Sequence, residues 1–105
     1  MAFAPQLETL HFEFVGTKPA GGFKNRLVGV VASGNLELMF EPLADPVCRF
    51  EVQTSARGFA NVWEAVLRDF HERHPLCGVR VSIHDMGATP AVVSLRLAQA
   101  VAGLT

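Results

Sequence analysis

The sequence predicts an α+β fold: a two-layer sandwich in which a mainly antiparallel sheet of about five strands carries two helices on one face. Four segments alternate apolar and polar residues with a period of two, which is typical of strands with one buried face. Segment 59–70 instead repeats its apolar residues at helical spacing. A segment that opens on a proline near the C-terminal end adds a second candidate helix. The predicted order is four strands, a helix, a strand and a helix.

Four predicted strands precede the first helix and one follows it. The alternating segments are 10–14, 36–40, 48–52 and 79–83. Segment 27–32 is apolar in both phases, which predicts a more central strand. Segments 16–22 and 42–46 contain the glycines and prolines that are typical of loops, and we expect no strand in either.

Two segments are predicted to be helical. In 59–70 the apolar stripe, which includes Trp63, predicts an amphipathic helix whose stripe lies in the core, and Pro75 ends it. In the last segment, Thr89 has the position of an N-cap and Pro90 that of the first helical residue. Part of this segment also alternates like a strand, but the cap signal favours a helix from about Pro90.

Size and composition restrict the classes of function. The 105 residues predict one domain, which we place at 7–105 after a short N-terminal leader at 1–6. The nine Lys and Arg residues are scattered and the net charge is −1, so we expect no nucleic-acid partner. We also expect no membrane partner, because no apolar stretch is long enough to span a bilayer. Cys48 lies on the apolar phase of a strand, which predicts a reduced core thiol. This thiol and the lack of a secretory signal together favour the cytoplasm.

The titratable residues form no catalytic or metal-binding pattern that we recognise. Ser82, His84 and Asp85 do not make a triad, because neighbouring strand residues point to opposite faces of a sheet. We expect His84 on the solvent face and Asp85 at the opening of a turn. His71 and His74 are three residues apart, but no carboxylate or thiol nearby in sequence completes a metal site. We therefore predict no catalytic residue and no metal ligand.

Ser33 is the leading candidate functional residue. It follows an apolar strand-like segment and precedes Gly34 and Asn35, which both tolerate positive φ, so we expect Ser33 at the tip of a hairpin. Two interpretations are open from the residues alone. Ser33 is either a small polar turn residue or an exposed hydroxyl for covalent attachment, with Gly34 leaving that hydroxyl uncovered.

Two blocks of the chain resemble the acyl carrier (delta) subunits of malonate decarboxylase. The first block is 29–37, with the sequence GVVASGNLE, and the second is 83–90, with the sequence IHDMGATP. A weaker similarity lies at Thr54-Ser55, before the predicted helix. The resemblance extends over nearly the whole chain from Leu7. Asn35 and Ala91 depart from it, since these positions are commonly Asp and Gly in the family.

The resemblance implies a function for Ser33. Its hydroxyl would carry, as a covalent cofactor, an arm derived from triphosphoribosyl-dephospho-CoA, joined through a phosphodiester, with Gly34 and Asn35 beside it. The protein would be a phosphoprotein of malonate catabolism that holds acetyl and malonyl thioesters and catalyses nothing itself. The implied partners are the acetyl-/malonyl-transferase and decarboxylase subunits of one complex, a malonyl transferase and the transferase that attaches the prosthetic group.

Two alternatives remain beside this interpretation. One is the related acyl carrier of citrate lyase, which uses the same arm. The other is a small protein-interaction domain with no covalent group, for which the strands and helices alone would suffice. The modification state of Ser33 separates the carriers from the interaction domain.

Overall fold

The computed structural model describes residues 7–19, 26–28 and 36–102, and it confirms the predicted α+β class. Its elements in chain order are β1 (Glu8–Val15), β2 (Lys18–Pro19), β3 (Arg26–Val28), β4 (Leu36–Pro42), β5 (Val47–Thr54), α1 (Ala60–Arg73), β6 (Leu76–Cys77), β7 (Val79–Asp85) and α2 (Pro90–Ala102). The last segment is a helix, as the cap signal predicted. Within the described ranges, neither helix has the length and apolar character that crossing a bilayer requires.

The main sheet has the strand order β1-β5-β7-β4-β3. Three of its four strand pairings are antiparallel, while β5 and β7 are parallel. A parallel pair needs a long crossover connection, and α1 lies within the segment that joins β5 to β7. The short strands β2 and β6 form a separate parallel pair.

The core lies between one face of the main sheet and the two helices. Alternate residues of β4, β5 and β7 are buried on this face, and they form one cluster with the inward residues of both helices. Its largest fully buried side chains include Phe40, Phe50, Leu67, Ile83 and Leu97. The opposite face of the sheet carries ion pairs, such as those that join Arg49 to Glu13 and Arg80 to Glu51.

The prediction that segment 27–32 forms a more central strand is wrong for its described part. β3 covers 26–28 and stands last in the described strand order, while 29–32 lie outside the described residues. β4 pairs with β7 on its other side, so its hairpin partner β3 is left outermost. Apolar character reports how much of a strand is buried, and it does not report which strands lie beside it.

The prediction that 16–22 contains no strand is also wrong, because β2 lies within it. The chain passes very close to Leu76 at Gly16, where a Cβ would overlap the Leu76 carbonyl group. This approach lets the Thr17 and Lys18 N–H groups donate to the Pro75 oxygen, at 3.0 and 2.9 Å. The pairing with β6 depends on residues some sixty positions away, which local sequence does not report.

The ends of the helices follow the predicted signals. α1 ends at Arg73, before Pro75. At α2, the Val92 N–H donates to Thr89 Oγ1 at 3.3 Å, which is the predicted N-cap bond. Cys48 is a buried core thiol, as predicted, and its burial raises its pKa to about 12.

Candidate functional site

Ser33, Gly34 and Asn35 lie outside the described residues, but the strands on both sides of them are described. β3 pairs with β4 through Arg26 and Phe40, Leu27 and Met39, and Val28 and Leu38. Each of these pairs is symmetric in sequence about residue 33. The antiparallel register of the two strands is therefore centred on the serine that the sequence singled out.

The start of β4 lies at one particular end of the sheet. Glu8, Thr54, Asp85 and Leu36 stand in one row across β1, β5, β7 and β4. β5 and β7 finish in this row and β4 begins in it. We call it the Asp85 end of the sheet, and β4, which follows residue 35 in the chain, begins here.

Asp85 forms hydrogen bonds that join β5, β7 and the turn after β7 at this end. It is only 2% exposed, and its Oδ2 accepts a 2.8 Å hydrogen bond from the Thr54 hydroxyl. Its Oδ1 accepts from the N–H groups of Gly87 and Ala88, at 3.2 and 2.8 Å. The Thr54 hydroxyl in turn accepts from the Ala56 N–H at 3.0 Å. Asp85 opens a turn, as predicted, and the second resemblance block, 83–90, contains this turn.

A pocket of about 310 Å³ lies at the Asp85 end, between the first halves of the two helices. We call it the α1–α2 pocket. Its apolar walls include Phe59, Val62, Trp63, Val66, Pro90 and Val93. Among the described residues that line it, Asp85 alone is charged, and both of its oxygens already accept hydrogen bonds. The pocket therefore suits an uncharged apolar group.

The opening of the α1–α2 pocket is also apolar. Phe59 and Val62 line the pocket and are 50% and 41% exposed. Large apolar side chains that cluster on a surface mark a place where a ligand or another protein binds.

Sequence reasoning did not identify this pocket. It assigned Trp63 to the core alone, although this side chain also lines the pocket. It missed the bond between Thr54 and Asp85 as well. A signal for that bond was present, because each is a polar residue on the buried phase of its strand. Polar side chains at such positions need a partner inside the protein.

The other titratable candidates, His84 and His71, contact neighbouring residues in ways that stabilise the fold. His84 lies on the open face, where its Nδ1 is 3.7 Å from a Glu37 oxygen, whereas Asp85 points inward. This confirms that the two residues face opposite ways. His71 is buried, its Nε2 donates to the Leu76 carbonyl at 2.9 Å, and its ring stacks on Phe14. In the described part of the chain, no three His, Cys, Asp or Glu side chains group as metal ligands would.

These observations define a small α+β domain with an apolar pocket at one end of its sheet and a β3–β4 register centred on residue 33. Comparison with known proteins identifies its relatives. The family described as "ACP: Malonate decarboxylase delta subunit (MdcD)" matches residues 24–104. The malonate decarboxylase acyl carrier protein of Burkholderia cepacia is 67% identical over 96 residues, which are 91% of this chain and 89% of that protein. The one from Xanthomonas euvesicatoria pv. vesicatoria (strain 85-10) is 57% identical over 97 residues, which cover 90% of this chain and 91% of that protein.

A solved structure has the same fold. It is a chain of a Pseudomonas malonate decarboxylase hetero-tetramer in complex with malonate, with a TM-score of 0.80 and 39% identity. The alignment covers 93% of this chain and 99% of that one. The chain therefore belongs to the family of malonate decarboxylase delta subunits, the acyl carrier proteins of that enzyme.

Proposed function

We propose that this protein carries acetyl and malonyl groups, as thioesters on a CoA-derived arm attached to Ser33, within a malonate decarboxylase complex. The observation that carries the proposal is the register of β3 and β4, which is symmetric about residue 33. In a regular hairpin the residue at the centre of the register lies at the tip, where a modifying enzyme has access. Family membership supports the carrier role.

Attachment uses the Ser33 hydroxyl as a nucleophile. Its oxygen forms a bond to the innermost phosphorus of the triphosphate donor, the bond from that phosphorus to the next bridging oxygen breaks, and pyrophosphate leaves. The hydroxyl proton passes to a base of the attaching enzyme or to water. The product is a phosphodiester, and Gly34, which has no side chain, leaves room on one side of it.

The arm supplies a thioester, which delocalises the carbanion that forms when malonyl loses CO2. This chain contributes tethering, because a group held at one residue meets successive active sites at a high effective concentration. The described surroundings fit this role. The α1–α2 pocket is apolar and lies at the end of the sheet where β4 begins, three residues after Ser33 in the chain, so an uncharged thioester end and the local surface are compatible.

The partners that we propose are the transferase and decarboxylase subunits of the same complex, together with the transferase that attaches the arm. The solved relative is itself a chain of a hetero-tetramer, which supports assembly with other subunits. The delta-subunit match favours this function over the carrier of citrate lyase. The remaining alternative is a protein-interaction domain without a covalent group. The following experiment would favour it if Ser33 stayed unmodified.

Intact mass tests the proposal directly. Protein co-expressed with its attaching enzymes is expected to carry one phosphoribosyl-dephospho-CoA group, which peptide mapping places on Ser33. Ser33→Ala removes the adduct and reduces malonate decarboxylation by a reconstituted complex to background. Ser55→Ala is the matched control, since Ser55 is an exposed serine after β5, and it is expected to keep both. An unmodified Ser33 beside demonstrably active attaching enzymes, or full activity of Ser33→Ala, would contradict the proposal.

A further inference from the structure

The α1–α2 pocket is within reach of a group attached at Ser33. Leu36 is paired with Asp85, which lines the pocket, and paired Cα atoms on antiparallel strands are about 5 Å apart. Ser33 precedes Leu36 by three residues, which span at most roughly 11 Å. Connectivity alone therefore keeps the Cα of Ser33 within roughly 16 Å of the Cα of Asp85. A CoA-derived arm, with its nucleoside, diphosphate and pantetheine in series, is long enough to return to the pocket.

The lining of the pocket discriminates among the parts of such an arm. Among the residues that the structure describes, no Lys or Arg lines the pocket, so the phosphates of the arm find no counter-charge in this lining. The single carboxyl group, on Asp85, is satisfied by Thr54 and two backbone N–H groups and does not need a ligand. The apolar walls favour a ligand that transfers uncharged, apolar surface from water into the pocket. The end of the arm that bears a short acyl thioester has this character.

We propose that the α1–α2 pocket holds the acetyl thioester end of the arm and that the malonyl thioester end stays outside. The inference rests on the proposed function. An acetyl group adds no charge, whereas a malonyl group brings a carboxylate into an apolar pocket whose described lining offers no cation to pair with it. Acetyl is therefore sheltered on the carrier, and malonyl is free to enter the active site of a partner subunit.

Trp63 provides a direct readout. It is the only tryptophan of the chain and it lines the pocket, so its indole N–H gives a single signal in a proton–nitrogen NMR spectrum. We would record this signal and the Val93 methyl signals for unloaded, acetyl-loaded and malonyl-loaded protein, with loading on Ser33 verified by mass. Both sets are expected to shift in the acetyl form and to stay at the unloaded positions in the malonyl form.

Two variants separate the pocket from the rest of the surface. Val62→Asp places a carboxylate at the half-exposed opening of the pocket, and the acetyl-dependent shift of Val93 is expected to be lost although the mass shows the arm in place. Val15→Asp is the matched control. Val15 is 82% exposed, lies at the other end of β1 and does not line the pocket, so this variant is expected to keep the shift.

The outcomes distinguish this inference from the function on which it rests. Unmodified protein after active loading contradicts the proposed function and this inference together. Acetyl-loaded protein with Trp63 and Val93 signals identical to those of unloaded protein overturns the pocket assignment and leaves the carrier function standing. Equal shifts in the malonyl form overturn the exclusion of charge. Signals that move only when a partner subunit is added mark the pocket as a protein-docking surface, which also overturns the proposal.

Discussion

At the scale of single residues, Asp85 joins several segments at the end of the sheet where the α1–α2 pocket lies. Its carboxyl oxygens accept from Thr54, Gly87 and Ala88, so one side chain joins β5, β7 and the turn that leads into α2. Because Asp85 is buried, these bonds contribute to the stability of the fold: a buried polar group without a partner lowers the free energy of unfolding more than an exposed one. This arrangement positions the turn that leads into α2, which forms one helical wall of the α1–α2 pocket.

Asp85→Ala is expected to lower the free energy of unfolding by about 3 kcal/mol, because it leaves the Thr54 hydroxyl and two backbone N–H groups without their acceptor. Asp85→Asn keeps an oxygen for the backbone donors and is expected to cost less than Asp85→Ala. Urea unfolding measures both. His84→Ala is the control, since this neighbour is on the open face, and a change within about 0.5 kcal/mol is expected. A loss for Asp85→Ala as small as that of the control would contradict the role given to Asp85.

Cys48 predicts a pH dependence of stability. Its pKa is raised by burial from 9.0 to about 12, so between these values the folded state keeps the thiol proton while the unfolded state loses it. Its contribution to the free energy of unfolding is therefore complete below pH 9 and falls as the pH rises toward 12. Urea unfolding between pH 8.5 and 10.5 is expected to show a shallower decline for Cys48→Ala than for the native protein.

Cys77→Ala is the control for that measurement. Cys77 is a free cysteine that is only partly buried, and its removal is expected to leave most of the decline in place. Equal slopes for the native protein and Cys48→Ala would show that other groups cause the alkaline loss of stability.

At the scale of elements, the start of α2 links the fold to the pocket. Thr89 caps the helix, and Pro90 and Val93 of its first turns line the pocket. α1 begins without a side-chain cap, so its position depends on packing of Trp63, Leu67 and Phe70 against the sheet. The two walls of the pocket are therefore held in different ways, one by a local hydrogen bond and one by the core.

Thr89→Ala is expected to lower the free energy of unfolding by about 1 kcal/mol, because the Val92 N–H loses its acceptor. Thr89→Ser retains a hydroxyl at the same position and is expected to recover most of this loss. Thermal or urea unfolding of the two variants makes the comparison. Equal destabilisation by Ala and Ser would show that the methyl group of Thr89, and not its hydroxyl, matters here.

At the scale of the whole molecule, the sheet has two faces with different chemistry. One face holds the core, and the other carries ion pairs among exposed or half-exposed side chains. Thr54 bonds to Asp85, Arg80 to Glu51, and His84 lies beside Glu37, and within the described ranges these groups do not form a nucleophile, base and oxyanion arrangement. This organisation suits a scaffold that presents a group to other proteins.

The purified protein alone is therefore expected to release no CO2 from malonate above the buffer rate, whether or not the arm is attached. Radiolabelled malonate gives the measurement, and the reconstituted complex gives the positive control. Release of CO2 by the protein free of partner subunits would place a catalytic centre in this chain.

Sequence periodicity and turn chemistry determined much of this protein. They predicted the four longer strands, both helices, the Thr89 cap, the buried thiol of Cys48 and a turn at Asp85, because each of these depends on residues close together in the chain. The hairpin at Ser33 stays a prediction, and the register of β3 and β4 supports it.

Only the tertiary structure decided the rest. It placed β3 last in the described strand order, paired β5 with β7 in parallel, and joined Thr54 to Asp85 across 31 residues. It also brought α1 and α2 together around an apolar pocket at the Asp85 end of the sheet, where β4 begins. Periodicity reports which face of an element is buried, but the partner of that face is chosen by packing among distant segments, and no local pattern encodes that choice.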